Sequence, residues 1–107
     1  MPKYLSLFKY SPEGARGFLK EKAAAREVAA GKAIESVGGK IETFYWVGTG
    51  EYTGMAISEL PDTASAAAFH ALVDSSGAFS TFQSIELLTA SEIDRALGKS
   101  MAYRPPG

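Results

Sequence analysis

The sequence predicts an α+β domain of order βαββαβ, an antiparallel sheet with two helices on one face, followed by a short C-terminal helix. Three observations predict it. Stretches rich in aromatic and branched residues begin near residues 3, 40, 51 and 78. Helix-period apolar stripes lie between the first and second of these and between the third and fourth. The connections left over are short, as a small domain requires. A chain of 107 residues has room for one core.

Residues 3–10 read as a strand with Leu5 and Leu7 on one face and Tyr4, Phe8 and Tyr10 on the other. Both faces are apolar, so both need a cover. Ser11-Pro12-Glu13 starts a helix, with Ser11 as N-cap and Pro12 at the first helical position. Gly14 and Gly17 limit this piece, which is expected to reach about Glu21; a longer helix follows over residues 22–37. Ala30, Ala33, Ile34 and Val37 form its buried stripe, and Gly38-Gly39 ends it. Residues 40–47 are the clearest strand, with strict alternation placing Ile41, Thr43, Tyr45 and Val47 opposite Glu42, Phe44 and Trp46. Gly48-Thr49-Gly50 turns the chain into a third strand over residues 51–60, antiparallel to the second. Asp62 caps a helix over residues 63–76 whose stripe is read as Ala68, Phe69, Leu72 and Val73. Residues 78–88 form the fourth strand. Thr89-Ala90-Ser91-Glu92 is a capping box that opens a helix ending near Leu97. The domain is therefore assigned to residues 1–98 and an extended tail to 99–107.

This is the ferredoxin-like plan. Its two helices cover one sheet face, yet large apolar side chains occupy both, more than a soluble monomer exposes. A second copy stacked sheet to sheet, a dimeric α/β barrel, is the expected remedy, with a homodimer or higher assembly as the self-partner.

Composition narrows the function classes. Lys plus Arg is 11 and Asp plus Glu is 12, so the net charge of −1 offers no attraction for nucleic acid or an anionic membrane. There is no Cys, which excludes disulfides and thiol catalysis and fits a reducing, cytoplasmic location. A single His excludes a zinc site built from several His or Cys, and neither a metal nor a cofactor is expected. No apolar run is long enough to span a bilayer, and no signal-peptide stretch follows Met1.

Pro2-Lys3-Tyr4-Leu5, Tyr10-Ser11-Pro12-Glu13-Gly14, Ile34-Glu35-Ser36-Val37-Gly38-Gly39-Lys40, Gly50-Glu51-Tyr52-Thr53 and Glu59-Leu60-Pro61-Asp62 follow one another in the order and spacing of a known family. With Leu87-Leu88-Thr89 and the closing Tyr103-Arg104-Pro105-Pro106-Gly107, the chain resembles the GYD domain family over nearly its whole length. The resemblance implies a small ferredoxin-like protein without a settled activity. Where the family signature has Gly-Tyr-Asp, this chain has Thr53 in the Asp position and so lacks that carboxylate. Two shorter likenesses accompany it. The Gly-x-Tyr segment is similar to effector-binding domains of leucine-responsive-type regulators. Ala68-Phe69-His70-Ala71 with Ser75-Ser76-Gly77-Ala78-Phe79 resembles the second helix of antibiotic-biosynthesis-monooxygenase-type barrels.

The candidate residues each have a plainer reading. His70 is the one imidazole, a candidate catalytic base or a proximal ligand to haem or a metal in a dimer cleft; the plainer reading is a half-exposed histidine at a helix–sheet seam. Phe44, Tyr45, Trp46, Tyr52 and Phe82, with Thr43, Ser58 and Ser84, can frame a cavity for a flat apolar ligand, or supply core and subunit interface. Strand parity keeps Tyr45 and Trp46 off one face. Glu42, Glu51, Glu59 and Glu86 lie in or beside strands; one facing a lumen could act as a base, but such residues more often reach water. Gly48-Thr49-Gly50 lacks the Lys-Ser/Thr and helix of a phosphate loop. Lys20, Lys22, Arg26 and Lys32 interleave with Glu21, Glu27 and Glu35 as a solvated mixed-charge face. The ligand-binding candidates are Gly50, Glu51 and Tyr52, with Tyr52 the main contact and glycines 48, 50 and 54 admitting close approach.

Three functions are compatible with these residues: a small dimeric module that binds a small apolar or aromatic molecule or regulates, a cofactor-independent monooxygenase or isomerase of the dimeric barrel type, and a structural subunit. The first is preferred, because one His and scattered Glu do not by themselves assemble a reaction site.

Overall fold

The computed structural model describes residues 1–107. Its strands are β1 (Lys3–Tyr10), β2 (Lys40–Trp46), β3 (Gly54–Glu59) and β4 (Phe79–Leu87), and its helices are α1 (Pro12–Glu21), α2 (Ala23–Ser36), α3 (Thr63–Ser75) and α4 (Ala90–Leu97). The strands form one four-stranded sheet of order β2-β3-β1-β4, with every neighbouring pair antiparallel. Order and pairing are those the ferredoxin-like plan requires. No helix is long and apolar enough to cross a membrane.

Strand alternation divides β1 cleanly. Tyr4, Ser6 and Phe8 point into the helix-covered face and are buried, while Leu5 and Leu7 stand half-buried on the open face. Tyr4 packs with Ile34 of α2, Leu60 and Ala66 of α3, so both long helices lie on this one face. Phe8 is the hub at the other end, in edge-on contact with Tyr10, Phe44, Trp46 and Phe79 at ring separations of 5.5, 6.0, 5.9 and 5.5 Å. Gly54 makes room for it: a Cβ there would lie 2.5 Å from Phe8 Cζ. The glycine at the start of β3 thus accommodates the core's own phenyl ring.

Two irregularities shift side chains away from the expected parity. The β2–β3 register slips between Ile41 and Thr43. Ile41 therefore joins Phe44 and Trp46 on the helix side, against the Tyr4 cluster, instead of lying with Tyr45. Glu42, at the bulge, pairs its carboxylate with Lys3 Nζ at 2.9 Å. A second slip between Lys9 and Tyr10 sets Phe79 opposite Tyr10. Neither bulge has a sequence mark, because a bulge adds one residue without needing Gly or Pro.

The helical stripe of α3 also differs from the expected one. Ala66, Phe69, His70 and Val73 turn inward, whereas Ala68 is exposed and Leu72 is 70% exposed. Both sets keep helical spacing, and Ala-rich α3 gives the periodicity little to choose between them. Asp62 caps α3 as expected, its Oδ1 accepting the Ser65 N–H at 2.7 Å. Those hydrogen bonds hold the Asp62 carboxyl below its usual range. A folded-state value below the unfolded one means the cap stabilises fully above the unfolded value and loses that contribution as pH falls through the folded one. Asp62→Asn caps without titrating. Thermal melts of the two proteins should therefore be separated at neutral pH and converge on acidification below about pH 4.

Between α1 and α2, Lys22 takes φ 77° and ψ 167°, a region populated almost only by glycine. It breaks what would otherwise be one continuous helix and lets α1 fold back over the sheet through Phe18, whose ring lies 5.5 Å from Tyr10 of β1 and 4.7 Å from Trp46 of β2. Lys22→Gly is expected to stabilise the fold by about 1 kcal/mol, a rise of roughly 4–8 °C in melting temperature. An unchanged or lower melting temperature would show that no strain resides there.

Candidate functional site

The space between sheet and helices is not filled. A cavity of about 120 Å³ lies between the helix-side face and α2 and α3. Its sheet wall is Phe8, Phe44, Phe79 and Phe82, with Ala56 and the hydroxyls of Ser6 and Ser58 on the floor. Its helix wall is Ala29, Ala30, Ala33 and Ile34 of α2 and Phe69 and Val73 of α3. The alanines decide the shape. They bring the α2 backbone over an aromatic sheet without side chains long enough to close the gap, so the walls are apolar and aromatic while the centre stays open. Apart from Ser6, Ser58 and Arg26 every lining residue is hydrophobic.

Arg26 stands at the mouth. It lies on the same helical stripe as Ala29, Ala30 and Ala33, so it turns inward and its side chain is 33% exposed, not part of a fully solvated face. It also lines a second hollow of about 210 Å³ under α1, together with Tyr10, Glu13, Phe18 and Glu21. Its neighbour Glu27 is exposed and accepts the Trp46 indole N–H at 2.9 Å.

The residues singled out from sequence divide around this cavity. Phe44, Phe82 and Ser58 line it. Trp46 shares their side of the sheet but stacks on Phe18, while Tyr45 points to the open face and is 67% exposed. Thr43 is on the open face as well, by its register with Ile57. Ser84 is on the helix side, paired with Ser6, outside the lining. Glu51, Glu86 and Gly50 are exposed, and Glu59 is half-buried on the open face beside Lys3 and Lys40.

Tyr52 is half-buried just before β3 and donates its hydroxyl to Gln83 Oε1 at 3.3 Å. By strand parity Gln83, opposite Leu7, is on the open face, so Tyr52 reaches across that face rather than towards the cavity. Gly50 holds φ 117° in the turn. Thr53 closes the sheet end: its N–H donates to Phe8 O at 2.7 Å and its Oγ1 accepts the Tyr10 N–H at 3.3 Å. A carboxylate in that position would accept the same bond, so Thr53 keeps the contact without the charge.

His70 is half-buried on α3, its imidazole edge-on to Phe82 at 5.5 Å. Phe82 lines the cavity and His70 does not, which puts the imidazole one side chain behind the wall. Arg26 is the residue that sequence reasoning missed. Its signal was present, since position 26 precedes Ala30, Ala33 and Val37 by helical steps, but its charge outweighed its place on the stripe.

The family model described as GYD domain matches residues 4–97. No curated protein and no solved structure matches the chain.

Proposed function

The chain belongs to the GYD domain family, and from that premise we propose that it is a small homodimeric module that binds a small apolar or aromatic molecule between its sheet and its helices, in a binding or regulatory role. The observation that carries the reading is the cavity of about 120 Å³ with its phenyl and alanine walls. An apolar cavity of about 150 Å³ accepts a guest such as benzene. Two serine hydroxyls on its floor can orient a polar substituent. Ligand binding to the folded state alone raises stability with the logarithm of ligand concentration. Toluene is therefore expected to raise the melting temperature in a dose-dependent way, and no rise up to its solubility limit would count against the reading.

The homodimer is supported by the open face. Leu5, Leu7, Met55 and Ile57 sit at its centre in direct register, Leu5 with Ile57 and Leu7 with Met55, and Ile85 extends the patch at 42% exposure. Lys3, Lys40, Glu42 and Glu59 cluster at one end of it, and Lys9 stands at the other. An apolar centre with both charge signs at its rim is self-complementary, which suits a two-fold interface with a second copy.

The enzyme alternative, a cofactor-independent monooxygenase or isomerase, keeps one observation in its favour: His70 abuts a wall residue of the cavity. Against it, the lining holds no imidazole and no carboxylate to move a proton. Turnover that disappears in His70→Ala while ligand affinity is retained would favour it.

A further inference from the structure

We propose that the cavity's ligand carries a single carboxylate beside its apolar body, and that Arg26 receives this carboxylate at the mouth. The inference rests on the cavity-binding reading above and names the ligand class for that site.

Arg26 is the one charged residue among those lining the cavity, and with Tyr10 it also lines the hollow under α1, so it stands where the two spaces meet. It shares the alanine stripe of α2, and its guanidinium lies beside Glu21, which lines the larger, more polar compartment. Its ion-pair partner is Glu21, with Nη1 and Oε1 separated by 3.6 Å. That is well outside the roughly 2.7–2.9 Å of a charge-assisted hydrogen bond. The Glu21 side chain is itself 51% exposed, so this contact leaves most of the guanidinium's donors free. Glu27, the next acid along, is occupied by Trp46. A planar guanidinium with open donors beside an apolar hole suits a carboxylate attached to a ring or short branched chain, held by two parallel hydrogen bonds.

The charge is limited to one. Glu13 and Glu21 line the same hollow, and a dianion such as a phosphate monoester would meet both of them for one guanidinium. A cavity of about 120 Å³ likewise limits the apolar part to about one ring.

The test uses the full chain and three probes that differ in one substituent: benzoate, benzyl alcohol and benzylamine, titrated at neutral pH and moderate salt. Benzoate is expected to bind at least about tenfold more tightly than benzyl alcohol, and benzylammonium most weakly. Arg26→Gln should abolish the advantage of benzoate over benzyl alcohol, with Arg26→Lys restoring part of the preference. Binding of benzyl alcohol with no preference for benzoate would overturn the inference and leave the cavity reading standing. A benzoate preference that survives Arg26→Gln would overturn it as well. If none of the three binds, the cavity reading falls and takes the inference with it. Should Arg26→Gln fail to fold, the ranking of the three probes on the wild-type chain decides.

Discussion

Ile57→Lys is expected to reduce the protein from a species of twice the chain mass to one of 11.3 kDa in light scattering at micromolar concentration. Ile57 sits in β3 on the open face, flanked in register by Leu5 of β1 and Thr43 of β2. In a single subunit it is only half-buried, so a lysine there can extend its amine into water and the subunit still folds. In a sheet-to-sheet dimer the same lysine enters a closed apolar layer. Two-fold symmetry introduces it twice, and an unpaired buried charge costs several kcal/mol, enough to weaken association by about a thousandfold or more. Leu72→Lys is the control. Leu72 is the more exposed residue, at 70%, but it lies on the outer side of α3, and its substitution should leave the mass unchanged. If the wild-type chain scatters as an 11.3 kDa monomer, the open face is not a self-interface.

Ala33→Leu is expected to move stability and binding in opposite directions. Ala33 lines the cavity from the α2 side, and leucine keeps the helix propensity high while projecting into the empty volume. Lost packing scales at about 24 cal/mol per Å³, so partial filling should stabilise the free protein by about 1–2 kcal/mol. Ligand and leucine compete for the same space, and affinity for an aromatic probe should fall by at least about tenfold. Paired thermal melts and titrations check this. A variant that is destabilised would show that the space is too narrow for the added side chain. A stabilised variant that binds as the wild type does would place the ligand elsewhere.

The fold was legible because its signals are local. Ser11, Asp62 and Thr89 cap helices where a capping residue precedes an apolar stripe, and Thr89 with Glu92 completes the expected box. Sheet order followed from the short connections. Lateral placement was less legible. The bulge beside Glu42 reverses the face on which Ile41 lies, and nothing in Lys-Ile-Glu-Thr-Phe announces it. In α3, the three alanines in a row at 66–68 leave two stripes equally periodic, and only the partner, the Tyr4 cluster, selects the one that contains Ala66. The aromatic wall of the candidate site was readable in Phe44 and Phe82, with Ser58 beside them. The rest was not, because a cavity is the absence of side chains, and alanines in α2 read equally well as close packing. Turn glycines flank Tyr52 in the sequence, yet Gly54 makes room for Phe8, and the Tyr52 hydroxyl binds Gln83 across the opposite face.

α4 presents the converse case, a helix legible from sequence that buries no residue, leaving Ile93 and Leu97 exposed. Its capping box supports its first turn: Thr89 Oγ1 accepts the Glu92 N–H at 3.1 Å, and Glu92 Oε1 accepts the Thr89 N–H at 3.0 Å. The ligand reading does not depend on α4, since none of its residues lines the cavity.

The central claim, that a small apolar molecule occupies the space between α2, α3 and the sheet, is tested most directly by methyl-resolved NMR during a toluene titration. The account predicts saturable shifts at the methyls of Ala33, Ile34, Ala56 and Val73, which line the cavity, with those of Val28, Ala68 and Leu72 unmoved on the solvent side. Shifts that stay linear up to the solubility of toluene, or that saturate only at the exposed methyls, would contradict it.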